Sequence, residues 1–305
     1  LMTSIHSFEA LAAHLSQRKE RSRIAIVCGS DASTAGAAMQ AVQDGFAEAI
    51  FVGDVEAVRQ LPCVAQHHGA YVHFVAAASH EAAAAQAVAL ARSGEAHTVM
   101  KGMLHTATLL RAVLHKECGL LPQGQVLTHV AAAQLPGRPK LLFLSDAAVI
   151  PYPTHEQRLA QVAYMAHVVR AFGVNEPRIA LLHCAETVSD KFPHTLGYAE
   201  ICTRAAAGEW GPLRVDGPLD FRTAIDPLGL RLKGIDSCLE GDADGVIVPD
   251  IEAGNLLYKA LPLLCQAHLA GMLQGTQVPV VLPSRGDSMA DKYNSLMMAT
   301  LVSHA

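Results

Sequence analysis

The chain has 305 residues, 51% of them hydrophobic and 17% charged, with a formal net charge of −5. That is enough length and apolar content for one large or two ordinary domains with buried cores. The lack of a Lys/Arg cluster excludes an electrostatic footprint for nucleic acid or an anionic membrane. The alanine-rich stretch "EAAAAQAVALARSGE" is too short and too weakly apolar to span a bilayer. The start "LMTSIHSFEALAAHLSQRKERSR" lacks the layout of a secretory signal. Seven scattered cysteines without a C-x-x-C pair read as reduced thiols, so a cytoplasmic location is expected. The 16 histidines form neither H-E-x-x-H nor a His/Cys quartet at ligand spacing, and no metal is expected.

In chain order, short apolar runs alternate with helix-length segments. "RIAIVCG" (23 to 29) precedes "ASTAGAAMQAVQDGFA", and "EAIFVGD" precedes a helix near 55 to 61. "YVHFVAAA" leads to a helix over 80 to 93, and "AHTVMKG" to one over 106 to 116. Near-continuous apolar runs of this kind belong to parallel strands covered on both faces. After the turn-rich "QLPGRPK", a second series begins at "KLLFLSDAAV" (140 to 149), followed by a helix over 155 to 172 and "RIALLHCAE". It continues with a helix over 195 to 207, "GPLRVDGPLDF", "ADGVIVPD", a helix over 253 to 261, "LAGMLQG" and "VPVVLPS". The fold class is α/β, and the Pro/Gly cluster at 135 to 139 is the expected domain boundary.

Ligands of open α/β sheets bind beyond the carboxyl ends of strands, which gives weight to polar residues at three strand-to-helix corners. In "TVMKGMLHTATLLRAVL" the strand ends at Lys101, Gly102 permits a tight turn, and His105 and Thr106 lie where the helix begins. The Thr106 hydroxyl either caps that helix or donates to an anion held by its free N–H groups. In "DGVIVPDIEAGNLLYKAL", Asp250, Gly254 and Asn255 bracket a helix start. Gly lets a ligand approach the backbone and the Asn amide offers both donor and acceptor, although helix starts favour Asp and Asn for local reasons too. In "PVVLPSRGDSMADKY" a strand delivers Ser284 and Arg285, and Met289, Tyr293, Leu296, Met297, Thr300 and Leu301 space out the following helix. Arginine's planar fork, Ser284, Ser288 and helix N–H groups suit an anion. Asp291 also completes S-x-x-D with Ser288, a capping-box pattern with a local structural role.

No G-x-G-x-x-G, P-loop or G-x-S-x-G fingerprint is present. "GSDASTAG" (29 to 36) reads as a packing turn or a minor contributor to a site. Cys184 follows His183 directly, and neighbours on a strand face opposite ways, so the pair is poorly placed for nucleophilic catalysis.

Six segments, "MKGMLHTATLLRAVL", "FLSDAAVIPYP", "ALLHCAETVSDKFPHT", "VDGPLDFRTAI", "GDADGVIVPDIEAGNLLYKAL" and "LPSRGDSMADK", occur in the order found in the phosphate acetyl/butyryltransferases. From about residue 95 to about 295 the chain resembles that family, and "MKG-x-x-HT" and "DIEAGN" resemble its butyryl-type branch. The resemblance implies two α/β domains facing each other across a cleft, similar in topology to isocitrate and isopropylmalate dehydrogenases. Residues 1–138 with about 276–305 would form one domain and 139–275 the other. It implies acyl transfer between coenzyme A and inorganic phosphate, with coenzyme A as a substrate, no other cofactor, and a homodimeric assembly. Ser284, Arg285, Gly286, Ser288 and Asp291 match the S-R-G-x-S-x-x-D pattern of acetyl-type members. There the arginine is associated with the phosphoryl group and the aspartate with deprotonating the coenzyme A thiol. Thr106 matches the hydroxyl of the family's G-x-x-H-T turn. The resemblance thus gives Asp291, Arg285 and Ser284 catalytic roles and gives substrate contacts to Lys101, Gly102, His105, Thr106, Asp250, Gly254, Asn255 and Ser288.

Proton transfer from a thiol of pKa about 8.5 to an aspartate of about 3.9 is uphill by roughly 6 kcal/mol, so positioning of the thiol is the alternative role for Asp291. Two other function classes stay open. A dehydrogenase of the same fold would use NAD and a divalent ion, recruiting Asp242, Asp244 and Asp250. A non-catalytic homologue would bind ligand without turnover.

Overall fold

The computed structural model describes residues 4–67 and 69–304. They divide into two compact units: a central unit of Thr128–Ala267 with the residues before Phe8, and a terminal unit of Phe8–Leu127 with the residues from His268 onward. The strands among the described residues are, in chain order, β1 (Ser22–Val27), β2 (Ala47–Gly53), β3 (Val72–Ala76), β4 (Thr98–Lys101) and β5 (Thr128–Gln134). They continue with β6 (Leu142–Ser145), β7 (Arg178–Leu182), β8 (Arg214–Leu219), β9 (Gly245–Ile247), β10 (His268–Gln274) and β11 (Val280–Val281).

In the terminal unit the strand order is β3-β2-β1-β4-β11-β10. The first five run parallel, and β10 is antiparallel to β11. In the central unit the order is β5-β6-β9-β7-β8, with β5 antiparallel to β6 and the rest parallel. The apolar runs do as their composition requires: Ile24, Ala25, Ile26 and Val27 of β1, and Val99 and Met100 of β4, are all buried. Capping defines the helix starts. Asp31 caps Ala32–Gln43, Ser79 caps His80–Arg92, and Thr154 with Gln157 forms a capping box on His155–Ala171.

Several expectations shift. "THVAAAQ" forms β5, although alanine-rich composition hides its strand character. The Pro/Gly cluster at 135 to 139 closes the antiparallel β5–β6 pair inside the central unit, so the units divide at 127/128 and 267/268 instead. The helix near 55 to 61 is two pieces, Val55–Arg59 and Pro62–Ala65, because Pro62 starts a helix and cannot continue one. Pro279 and Pro283 likewise confine β11 to two residues. The helix expected over 106 to 116 ends at Val113, and the one over 253 to 261 extends to Ile251–Cys265. Met289–Val302 is not one-sided: Lys292 and every residue from Asn294 to Val302 are buried, polar Asn294, Ser295 and Thr300 included. No described helix is long and apolar enough to cross a membrane.

Candidate functional site

The first and third corners come together in the terminal unit, since β11 pairs with β4 and both present their carboxyl ends to the same side. Gly102 follows β4 where its N–H donates to Val27 O at 2.8 Å and that of Met103 to Cys28 O at 2.7 Å. A Cβ at Gly102 would stand 2.4 Å from Cys28 O, so only glycine lets the chain close against the end of β1. Lys101 is thereby held 6% exposed, and its Nζ donates to Gly102 O at 3.3 Å. It forms no ion pair with a carboxylate of the described residues. Burial pushes the Lys101 ammonium below its ordinary pKa, and nearby Arg285 and Lys292 push the same way against the weaker pull of Asp31 and Asp287.

His105 is the N-cap of Thr106–Val113 and makes no side-chain capping bond. Thr106 is the first helical residue, exposed, and does not cap the helix. The helix therefore begins with open N–H groups beside the lysine.

Arg285 sits at the tip of a built turn. Ser284 N–H donates to Asp287 Oδ2 at 2.8 Å, Asp287 N–H to Ser284 O at 3.2 Å, and Gly286 N–H to Ser284 Oγ at 3.1 Å. Ser284 and Asp287 thus shape the loop that presents the exposed guanidinium. Ser288 caps Met289–Val302 by accepting from Asp291 N–H at 3.0 Å. Asp291 does not return the capping-box bond to the Ser288 amide. Its Oδ2 accepts from the Ser288 hydroxyl at 2.9 Å and its Oδ1 from Leu269 N–H at 2.9 Å.

The sequence reading missed two charged residues of this corner. Lys292, 6% exposed, donates to Thr34 Oγ1 at 3.3 Å and lies 3.6 Å from Asp31 Oδ1. Burial opposes ionisation of Asp31, but the Thr34 amide and hydroxyl together with Lys292 outweigh it and hold the carboxyl below its ordinary pKa. The available signals were a lysine directly after Asp291 and an aspartate at a helix N-cap. Beside this corner a pocket of about 700 Å³ opens at the ends of β1, β2 and β3, lined by Cys28, Ser30, Asp54, Arg59, Phe74 and His80 among others.

The second corner belongs to the central unit. Asp250 caps Ile251–Cys265 by accepting from Ala253 N–H at 2.9 Å. The Asn255 amide donates to Ala147 O at 3.2 Å. A Cβ on Gly254 would lie 2.1 Å from Asp146 O, so this glycine serves a close helix-to-loop approach. Asp146, 1% exposed, organises that loop: it accepts from Thr128 Oγ1 and from the amides of His129, Ala148, Val149 and Ile150.

The carboxylate set considered for a divalent ion is not assembled. Asp242 and Asp244 precede β9 and pair with Lys140 at 3.0 and 2.6 Å, whereas Asp250 follows that strand at its other end. Among the described residues no group of three His, Cys, Asp or Glu side chains is placed to hold a metal. Cys184 also departs from expectation. Because β7 ends at Leu182, strand alternation no longer separates the pair, and Cys184 Sγ lies 3.6 Å from His183 Nε2.

A family profile described as "Phosphate acetyl/butaryl transferase" matches residues 64–300. The chain belongs to this family. It is 36% identical over 271 residues to the phosphate acetyltransferase of Rhizobium meliloti, covering 89% of this chain and 85% of that protein. It is 35% identical over 287 residues to the phosphate butyryltransferase of Clostridium acetobutylicum, covering 93% and 94%. A branched-chain phosphotransacylase crystal structure from Enterococcus faecalis superposes with a TM-score of 0.81 at 30% identity, covering 93% of this chain and 99% of that one.

Proposed function

We propose that this enzyme moves a short acyl group between coenzyme A and inorganic phosphate, and that the corner around Lys101 and Arg285 holds the phosphoryl group. The observation that carries this reading is a buried lysine without a carboxylate partner, next to an arginine and an uncapped helix N-terminus. Burying a cation without a counter-ion is costly, and a phosphoryl dianion supplies the missing charge.

In the direction of acyl-CoA synthesis the coenzyme A thiol gives up its proton to solvent and the resulting thiolate attacks the acyl carbon of the acyl phosphate, the departing phosphate taking up a proton in turn. The carbon–oxygen bond to phosphate then breaks, and the bonding pair leaves on a phosphate oxygen. Lys101, Arg285 and the Thr106 helix N–H groups stabilise that developing charge, and Ser288, whose hydroxyl donates to Asp291, lines the same corner as a substrate contact. Ser284 holds the arginine turn in shape. Asp291, with each oxygen already accepting one hydrogen bond, orients the helix start and the thiol. The neighbouring pocket of about 700 Å³ gives room for part of a nucleotide-bearing thiol substrate. Asp250, Gly254 and Asn255 enter as substrate contacts on the strength of the resemblance.

The relatives' names include both acetyl and butyryl donors, so the acyl chain is assigned only as short. We place the reaction in the cytoplasm and the protein in a homodimer. Leu256, Leu263 and Leu264, 73%, 80% and 81% exposed on Ile251–Cys265, support the dimer, since an apolar stripe is normally covered in an assembly. Acetyl, propionyl and butyryl phosphate offered with coenzyme A, following loss of free thiol, test the reaction. No thiol loss with any of the three overturns it.

A further inference from the structure

We infer that Lys292 is a phosphoryl-binding residue, and that Asp31 is the counter-ion it leaves when the substrate anion arrives. The inference rests on reading this corner as a phosphoryl site, and names a residue outside the matched S-R-G-x-S-x-x-D pattern.

Lys292 lies in the first turn of a helix that is buried on nearly all sides. A side chain there would normally be apolar, because an ammonium taken out of water costs several kcal/mol unless it is well paired. Its pairing is loose. Asp31 Oδ1 lies 3.6 Å away, beyond hydrogen-bond distance, and is already engaged by Thr34 N–H at 2.8 Å. Asp31 Oδ2 is buried and makes no hydrogen bond among the described residues, so the ion pair is not a closed two-point contact. In the same helical turn Ser33 Oγ is also buried without a partner, leaving a donor unused. Gly36 permits the approach that brings the two helices together, since a Cβ there would stand 2.6 Å from Met289 Sδ.

The pairing of the charges points the same way. Lys101, Lys292 and Arg285 stand against Asp31, Asp287 and Asp291, but Asp287 is engaged by the Ser284 amide and Asp291 by the Leu269 amide and the Ser288 hydroxyl. Buried Lys101 is left without a carboxylate partner and buried Lys292 with only the loose contact to Asp31. A phosphoryl dianion supplies the missing partner, and in doing so frees Lys292 from Asp31. Burial, Arg285 and then Lys292 hold down the pKa of Lys101, so Lys101 and Lys292 feel one another's charge at this corner.

The test is isothermal titration of inorganic phosphate into the full-length wild type, Lys292→Met, Lys292→Arg and Asp31→Asn, with melting curves recorded without phosphate. Lys292→Met should weaken phosphate binding at least about tenfold while leaving the phosphate-free melting temperature nearly unchanged, and Lys292→Arg should restore most of the affinity. Asp31→Asn keeps an N-cap for Thr34 but removes the competing charge. It should bind phosphate several-fold more tightly and melt lower without it. Unchanged phosphate affinity in Lys292→Met, with a lowered melting temperature, would make Lys292 a purely structural ion-pair partner and overturn the inference. If Lys292→Met does not fold, Asp31→Asn decides: phosphate binding no tighter than wild type overturns it as well. Acyl transfer is followed separately. A wild type that binds phosphate without turnover removes the proposed reaction while the binding comparison still judges Lys292.

Discussion

The backbone amide of Leu269 donates to the Asp291 carboxylate at 2.9 Å, tying the first turn of Met289–Val302 to the start of β10. The Ser288 hydroxyl donates to the other oxygen of the same carboxylate. The acid expected to take a proton from the thiol is therefore also a structural clamp. Asp291→Asn preserves the acceptor for Leu269 and turns the second oxygen into a donor facing Ser288, so the fold survives. We expect kcat to fall by less than about tenfold with an unaltered pH profile, which is the signature of positioning. A loss above about a hundredfold, with the acid limb of the profile removed, assigns proton transfer to Asp291.

Arg285 is exposed at the tip of a turn whose hydrogen bonds come from Ser284, Gly286 and Asp287. Arg285→Ala should leave stability within about 0.5 kcal/mol in urea unfolding. The same variant should raise KM for phosphate by about 10- to 100-fold, the worth of one charge-assisted pair. An unchanged phosphate KM would take Arg285 out of the site.

Gly102→Ala places a methyl group 2.4 Å from Cys28 O and 2.7 Å from Val27 O, against backbone atoms that cannot swing aside. The expected cost is about 1–3 kcal/mol in denaturant unfolding, accompanied by weaker phosphate binding because Lys101 is displaced. A variant as stable and active as wild type would show that β4 does not fix the lysine.

Lys101 gives a pH signature. Its folded pKa lies below the ordinary 10.5, so in the window between the two values the unfolded chain binds more protons than the folded one. Stability of the phosphate-free protein should therefore rise with pH as it approaches 10.5, and Lys101→Met should flatten that rise. Phosphate affinity should fall over the same window, at lower pH than an ordinary lysine would cause. Melting curves and phosphate titrations between pH 8 and about 10 read both effects.

In the central unit, His194 Nε2 stands 3.1 Å from His183 Nδ1. Burial, with Arg158 and His183 adding to it, lowers the His194 pKa from 6.5 to about 4. Between those values the unfolded state takes up the proton first, so stability is lost as pH falls from 6.5 towards 4. His194→Gln should make the melting temperature less sensitive to pH across that interval. A slope identical to wild type would show that His194 does not drive the acid response.

Much of this was legible in residue order. Apolar runs gave the parallel strands, and Lys101, Arg285 and Ser288 fell at strand-to-helix corners because those positions follow from local periodicity and turn chemistry. The strand Thr128–Gln134 stayed hidden because alanine carries no strong strand preference, and a proline-rich hairpin mimicked a domain linker. The second acceptor bond of Asp291 was also invisible, since its donor, Leu269, lies 22 residues away on another element.

The sequence by itself determined the α/β class, the corners where polar groups gather, and the family. Tertiary structure alone decided that Lys292 is buried and turned towards Asp31 and Thr34, the latter 258 residues distant in the chain. Local preferences act over a few neighbouring residues, whereas the partner of a buried charge is chosen by which elements the packing of the core brings within reach.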